Sequence, residues 1–215
     1  MVGTLLFFSL LCGATQALFI NGVVTGLDGS KPWTPPAFCH DLECPKYSVV
    51  EKYDNFERRH YEPSTWVATK INTPSYTQAQ TTEMFFKLFH YISGNNTAAM
   101  KIPMTAPVVT EVANDSSSDP SVTMHFFMPF NLQANPPKPT ESGVFIRQIP
   151  AMDVYVRSFG GFANNDKYAD EGAKLANDLA AANKLFQPMS IEYLTAGYDG
   201  PYAFIRHNEV WLVAM

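Results

Sequence analysis

Apolar and polar positions alternate through most of the chain, and a helical period interrupts the alternation twice. In "YSVVEKYDNFERRHY", Tyr47, Val49 and Tyr53 share one face, and Asp54-Asn55 marks a turn. The run that follows sends Phe56, Arg58 and His60 to one side and Glu57, Arg59 and Tyr61 to the other, and Pro63 ends it. "STWVATKI", from Ser64 to Ile71, predicts the next strand. The period then changes: Phe85, Leu88, Phe89 and Ile92 fall at i, i+3, i+4 and i+7, the stripe of a helix. That helix is predicted to begin near Pro74, with Thr73 as its cap, and to stop at Gly94. "PVVTEV" and "SVTMHFFMPF" are strand-like and flank the polar "ANDSSSDP".

The second half repeats this order. "GVFIRQIP" and "MDVYVRSF" read as strands. A helix follows with Tyr168, Gly172, Leu175, Leu179, Ala182 and Phe186 on one stripe and Asn164 or Asn165 as cap, and "SIEYLTAGY" and "AFIRHNEVWLVAM" are strands again. Strand-strand-helix-strand-strand therefore occurs twice, about the proline-rich junction "NPPKPTESG". Neither half can bury both its helix stripe and its sheet face alone. The pattern predicts an α+β fold, a distorted antiparallel β-barrel of two pseudo-repeats with two flanking helices.

The first 17 of the 215 residues, "MVGTLLFFSLLCGATQA", carry no charged side chain, and Thr15 and Ala17 sit where a cleavage site needs small residues. This predicts a signal peptide (1–17), an extended arm (18–46) and a folded domain (47–215), with the mature chain secreted to the extracellular space. No segment is apolar for long enough to span a bilayer. Hydrophobic residues at 46% and charged ones at 16% exclude disorder. A net charge of −5 without a basic run argues against nucleic acid or an anionic membrane as partner. An aromatic content of 13% suits a core or pocket with large flat walls. Once Cys12 leaves with the leader, Cys39 and Cys44 remain in "FCHDLECP". They read as a disulfide closing a small loop; the alternative is a metal site with His40, which lacks a fourth ligand nearby. N-glycosylation sequons stand at Asn95 and Asn114.

No G-x-S-x-G, P-loop, H-E-x-x-H or G-x-G-x-x-G occurs, so the chain reads as a binding protein and not an enzyme. His40, His60, His90, His125 and His207 show no metal-ligand spacing. A single imidazole suffices for a porphyrin iron, whose other ligands come from the ring. Such a site needs a histidine, an apolar aromatic wall and a cation for the propionates. His60 with Arg58 on the same strand face, and Phe85 with Phe89 on the helix, permit it. The plain alternative is a solvent-facing strand histidine and a core stripe.

The stretches "YSVVEKYDNFERRHYEPSTWV", "MKIPMTAPVV", "VYVRSFGGF", "TAGYDGP" and "NEVWLV" occur in order from Tyr47 to Val213. Together they resemble the SOUL/haem-binding protein family, and "FCHDLECPKYSVV" resembles its secreted branch. The resemblance implies a distorted barrel of two pseudo-repeats with two helices, and haem b or another porphyrin as ligand. It makes His60 the candidate axial ligand. Relatives without that histidine hold the porphyrin in an apolar pocket between the first helix and the loop before the last strand. The matching positions are Phe85, Phe89 and His90 on the helix and Tyr202, Phe204 and Arg206 in the loop. Where relatives have a basic helix residue this chain has His90, and where a relative's loop has lysine it has Ala203 or a neighbour, which leaves Arg206 as the fixed charge. The implied function is an extracellular carrier, buffer or scavenger of tetrapyrrole, as a monomer or a haem-linked oligomer. The alternatives are a protein-interaction or signalling domain with incidental porphyrin affinity, and a protein that binds small apolar ligands.

Overall fold

A computed structural model describes residues 33–113, 120–187 and 193–215; the leader-like residues 1–17 and the sequon at Asn114 lie outside the described residues. In chain order the elements are β1 (Tyr47–Lys52), β2 (Glu57–Tyr61), β3 (Ser64–Asn72), α1 (Gln78–Ile92), β4 (Val108–Ala113), β5 (Ser121–Phe127), β6 (Val144–Ile149), β7 (Met152–Gly160), α2 (Asn165–Ala181), β8 (Tyr193–Gly197) and β9 (His207–Val213). The nine strands form one antiparallel sheet in the order β1-β2-β7-β9-β8-β4-β5-β3-β6, curled into a half-barrel with two helices.

The repeat seen in the sequence becomes a symmetry of this sheet. Exchanging β2, β3, β4 and β5 for β6, β7, β8 and β9 reverses the order of everything except the added β1. A pseudo-twofold therefore passes between β4 and β8. The first strand of each half pairs into the other half, β2 with β7 and β6 with β3. Each half thus completes its sheet only with a strand from its partner, so the halves fold as one unit.

Both faces of the sheet are covered. On one, α1 packs Met84, Leu88, Tyr91 and Ile92 against Val122, Met124 and Phe126, and α2 packs Leu175 and Leu179 against Tyr155, Val210 and Leu212. The other face is the inside of the curl, where Trp66, Ala68, Phe127, Val154, Val156, Ala196 and Trp211 are all buried.

Three local expectations change. α1 starts at Gln78 and not near Pro74, because Thr77 and Gln80 form a reciprocal capping box. Thr73 instead holds Ser75 in a turn. The buried stripe of α1 is Met84-Leu88-Tyr91-Ile92, so Phe85 and Phe89 stand at its edge. "MFFKLFHYI" is apolar around so wide an arc that periodicity alone does not choose the inward side. The last strand starts at His207 and not at Ala203, because Arg206 turns back to donate to the carbonyls of Ala203 (3.1 Å) and Pro201 (2.6 Å). α1 does stop at Gly94, whose φ of 128° suits glycine, and α2 is capped by Asn164, whose side chain accepts from the amide of Lys167. Cys39 and Cys44 form a disulfide.

Candidate ligand-binding cleft

On the helix side of the pseudo-twofold lies a cleft of about 430 Å³, within the size range of small-ligand sites. Its floor is the β4–β8 pair, where Val108 faces Gly197 and Thr110 faces Thr195, extended by Met124 of β5. One wall is the first half of α1, with Thr81, Phe85 and Phe86; the other is the start of α2, with Asn165 and Tyr168. Tyr76 closes one side, and Asp199, Pro201 and Arg206 belong to the loop before β9. The cleft exists only because both halves contribute to it.

The polar groups in the cleft are sorted. Burial raises the phenols of Tyr76 and Tyr168, the latter to about 12, so both stay protonated at neutral pH. The Tyr168 hydroxyl donates to Asn208 Oδ1 at 3.2 Å. Asp199 is taken up by His40 (2.9 Å) and the amide of His207 (2.6 Å). Arg206 stacks over the Phe162 ring at 4.2 Å, and among the described residues it has no carboxylate within ion-pair distance. The cleft therefore offers largely apolar walls, the Phe85 and Phe86 rings set edge to face at 87°, and an Arg206 charge with no carboxylate partner among the described residues. That set suits a flat apolar ligand with an acidic edge.

Of the residues singled out in the sequence, Phe85 and Arg206 line this cleft. Phe89 stacks on Phe85 with ring centroids 5.9 Å apart, and His90, one turn beyond Phe86, lies 3.5 Å from Glu141. Tyr202 and Phe204 sit in the same loop as Arg206 but do not line the cleft; they are 92% and 93% exposed. Arg58 and His60 are not part of the cleft. They lie on the side of β2 that faces away from the inside of the curl, where Asp153 receives Arg58 Nη2 and His60 Nδ1, both at 2.5 Å. Burial works against the Asp153 charge, but the hydrogen bonds from His60 and Arg58 outweigh it and lower its pKa. Asn95 is exposed in the turn after α1.

Inside the curl is a polar cluster to which the sequence reading gave no role. Arg59, 2% exposed, makes two 3.0 Å bonds to Glu209, which is fully buried. Glu209 also accepts from Tyr198 (2.9 Å) and Trp211 Nε1 (2.8 Å), and His207 Nε2 lies 2.7 Å away. The signal was present: alternation had placed Arg59 opposite His60, and Glu209 shares the inward face of "NEVWLV" with Trp211. At the pseudo-symmetric position, Arg147 bonds Glu111 (2.8 Å) and lies 3.0 Å from Nε2 of the buried His125. Burial, reinforced by the Arg147 charge, lowers His125 to about 3.

This gives a pH prediction. The folded protein keeps His125 neutral, while the unfolded chain takes up a proton below the ordinary value of 6.5. Stability should thus be full above pH 6.5 and fall as pH drops toward 3, by up to about 1.4 kcal/mol per pH unit. The carboxylates with lowered pKa start from ordinary values of 4.5 or below, so the window from 6.5 to 4.5 isolates the histidine. Urea unfolding across that window should show a flatter pH dependence for His125→Phe; equal slopes would remove His125 as the cause.

A half-barrel of two exchanged halves thus carries, on its symmetry axis, an apolar cleft of the size that small ligands occupy. The sequence matches the family described as SOUL heme-binding protein over residues 42–213, and the chain belongs to that family. It is 39% identical to Heme-binding protein 2 of Mus musculus over 179 residues, covering 80% of this chain and 86% of that one. It is 40% identical to Heme-binding protein 2 of Homo sapiens over 162 residues, covering 74% and 78%. Among solved structures, the EcmrR C-terminal domain shares the fold with a TM-score of 0.51 at 12% identity, covering 79% of this chain and 98% of that domain.

Proposed function

We propose that the protein binds haem or a related tetrapyrrole in the cleft between α1, α2 and the loop before β9, and acts as a carrier or scavenger and not as a catalyst. The observation that carries this reading is the pairing of an apolar cleft walled by Phe85 and Phe86 with the guanidinium of Arg206 at its loop side, which is held by backbone carbonyls and has no carboxylate partner among the described residues. A porphyrin has the matching chemistry, a flat apolar body with carboxylates at one edge. Family membership and the names of the relatives support the ligand class. The leader-like residues 1–17, the Cys39–Cys44 disulfide and the exposed sequon asparagine Asn95 support an extracellular setting. Haem b is the porphyrin we assign.

Among the described residues no imidazole lines the cleft, and its phenols are held protonated, so a porphyrin there is retained by packing and by its acidic edge. A second placement rests on the Asp153 bond to His60 Nδ1, which leaves Nε2 as the nitrogen for iron. That porphyrin would lie against the outer side of β2. Haemin titration followed in the Soret region separates the two. Cleft binding predicts a saturable shift whose band position is unchanged in His60→Ala; a moved band in that variant assigns the iron to His60. No saturable shift in the wild-type protein overturns tetrapyrrole binding altogether. The interaction reading would then gain, because Tyr202, Phe204 and Ile205 form an apolar tip more than 90% exposed.

A further inference from the structure

The loop that carries Arg206 over the cleft is held from outside by the disulfide segment. Residues 198–206 join β8 to β9, and the loop is closed at its base by the amide of Tyr198 donating to His207 O at 3.4 Å. Both sides of that base touch residues 38–40. Phe38 stacks on the His207 ring at 3.9 Å with an interplanar angle of 2°, and meets Tyr198 edge-on at 4.8 Å. His40 donates from Nε2 to Asp199 Oδ1 at 2.9 Å, while Asp199 Oδ2 accepts from the amide of His207 at 2.6 Å. Asp199 itself lines the cleft.

The same small ring is anchored on its other side. Glu43 accepts from the amide of Ala106 at 3.0 Å through its carbonyl, and from the amide of Phe130 at 2.6 Å through Oε2. Cys39 and Cys44 close residues 39–44 into one ring, so His40, which holds the loop, and Glu43, which holds the body, are fixed relative to each other. Opening a short ring restores backbone freedom to all of its residues.

We propose that this segment is a disulfide-locked strap on the cleft loop, with His40 and Phe38 as positioning residues, so that the redox state of Cys39–Cys44 sets how fast the cleft exchanges its ligand. The step is thiol–disulfide exchange: a dithiol reductant gives two electrons and two protons, the Cys39–Cys44 bond breaks, two thiols form, and the reductant leaves as its own disulfide. The ligand part of the inference rests on the proposed tetrapyrrole reading; the strap itself does not.

The test compares oxidised and dithiol-reduced protein, with free thiols counted and far-UV circular dichroism shown unchanged. Hydrogen exchange of the amides in 198–207 reports the strap without any ligand. Haemin transfer to an excess of apomyoglobin reports release. Reduction is expected to speed exchange at the His207 amide and haemin release, each several-fold. In the oxidised chain His40→Ala should reproduce both effects, and His40→Gln, which keeps a donor, should restore them. Unchanged exchange in fully reduced protein overturns the strap, and faster exchange with unchanged haemin release overturns its control of the cleft. Faster exchange in a protein that binds no haemin supports the strap while the tetrapyrrole reading fails.

Discussion

Replacing Glu209 with alanine is expected to lower the unfolding free energy by about 3 kcal/mol, because it breaks a buried ion pair and leaves the buried Arg59 with a single carboxylate among the described residues, Glu57, at 2.5 Å from Nε. Arg59 would lose both of its 3.0 Å bonds to the carboxylate, and Tyr198 and Trp211 would lose their acceptor. Bulk solvent screens the cluster poorly, since Glu209 is fully buried and Arg59 is 2% exposed. Burial opposes the Glu209 charge, but the His207 hydrogen bond and the Arg59 charge outweigh it and hold its pKa low. The pair adds stability that is present above the ordinary carboxylate range and is lost as pH falls through the lowered value. Urea unfolding at neutral pH measures the cost. Removing both charges together, as Arg59→Met with Glu209→Met, should cost less than Glu209→Ala, because no buried cation is then left half-paired. A single variant within about 0.5 kcal/mol of wild type, the range of ordinary surface changes, would show that the cluster is not a buried ion pair.

Much of the fold could be read from periodicity. Alternation gave the strands around Tyr61, Trp66 and Tyr155, and the second helix stripe at Leu175 and Leu179 is the buried one. The repeat of element order foretold the symmetry of the sheet. What periodicity missed was decided by single side chains: the Thr77–Gln80 box at the start of α1, and the Arg206 bonds that delay β9. The Arg59–Glu209 pair joins residues 150 apart, so their meeting depends on strand order and not on local pattern. The cleft is similar. Phe85 was named in advance from the helical period and Arg206 through the family resemblance, but Thr110 and Thr195 had no local signal, because only the β4–β8 pairing brings them together. His60 was legible as an outward strand histidine, and its partner Asp153 was not, because it belongs to the other half.

Filling the cleft should weaken ligand binding without unfolding the protein. Thr81 lines it from α1 and is half-buried, with its hydroxyl bonded to the carbonyl of Thr77 at 3.1 Å. In Thr81→Trp the indole would occupy the space beside Phe85 that the proposed ligand needs. Haemin affinity is expected to fall by about tenfold or more, equivalent to at least about 1.4 kcal/mol. Stability should stay within about 1 kcal/mol of wild type, since the position is not in the core. The exposed β2 face is far along the sheet from this substitution, with β7, β9 and β8 lying between it and β4.

Parallel haemin titrations of wild-type and Thr81→Trp protein, read by Soret absorbance with thermal unfolding as control, test the cleft most directly. The expected result is saturation of the wild type at equimolar haemin and a curve for Thr81→Trp displaced to at least tenfold higher concentration. Superimposable curves from two equally stable proteins would place the ligand elsewhere and contradict the assignment of the cleft.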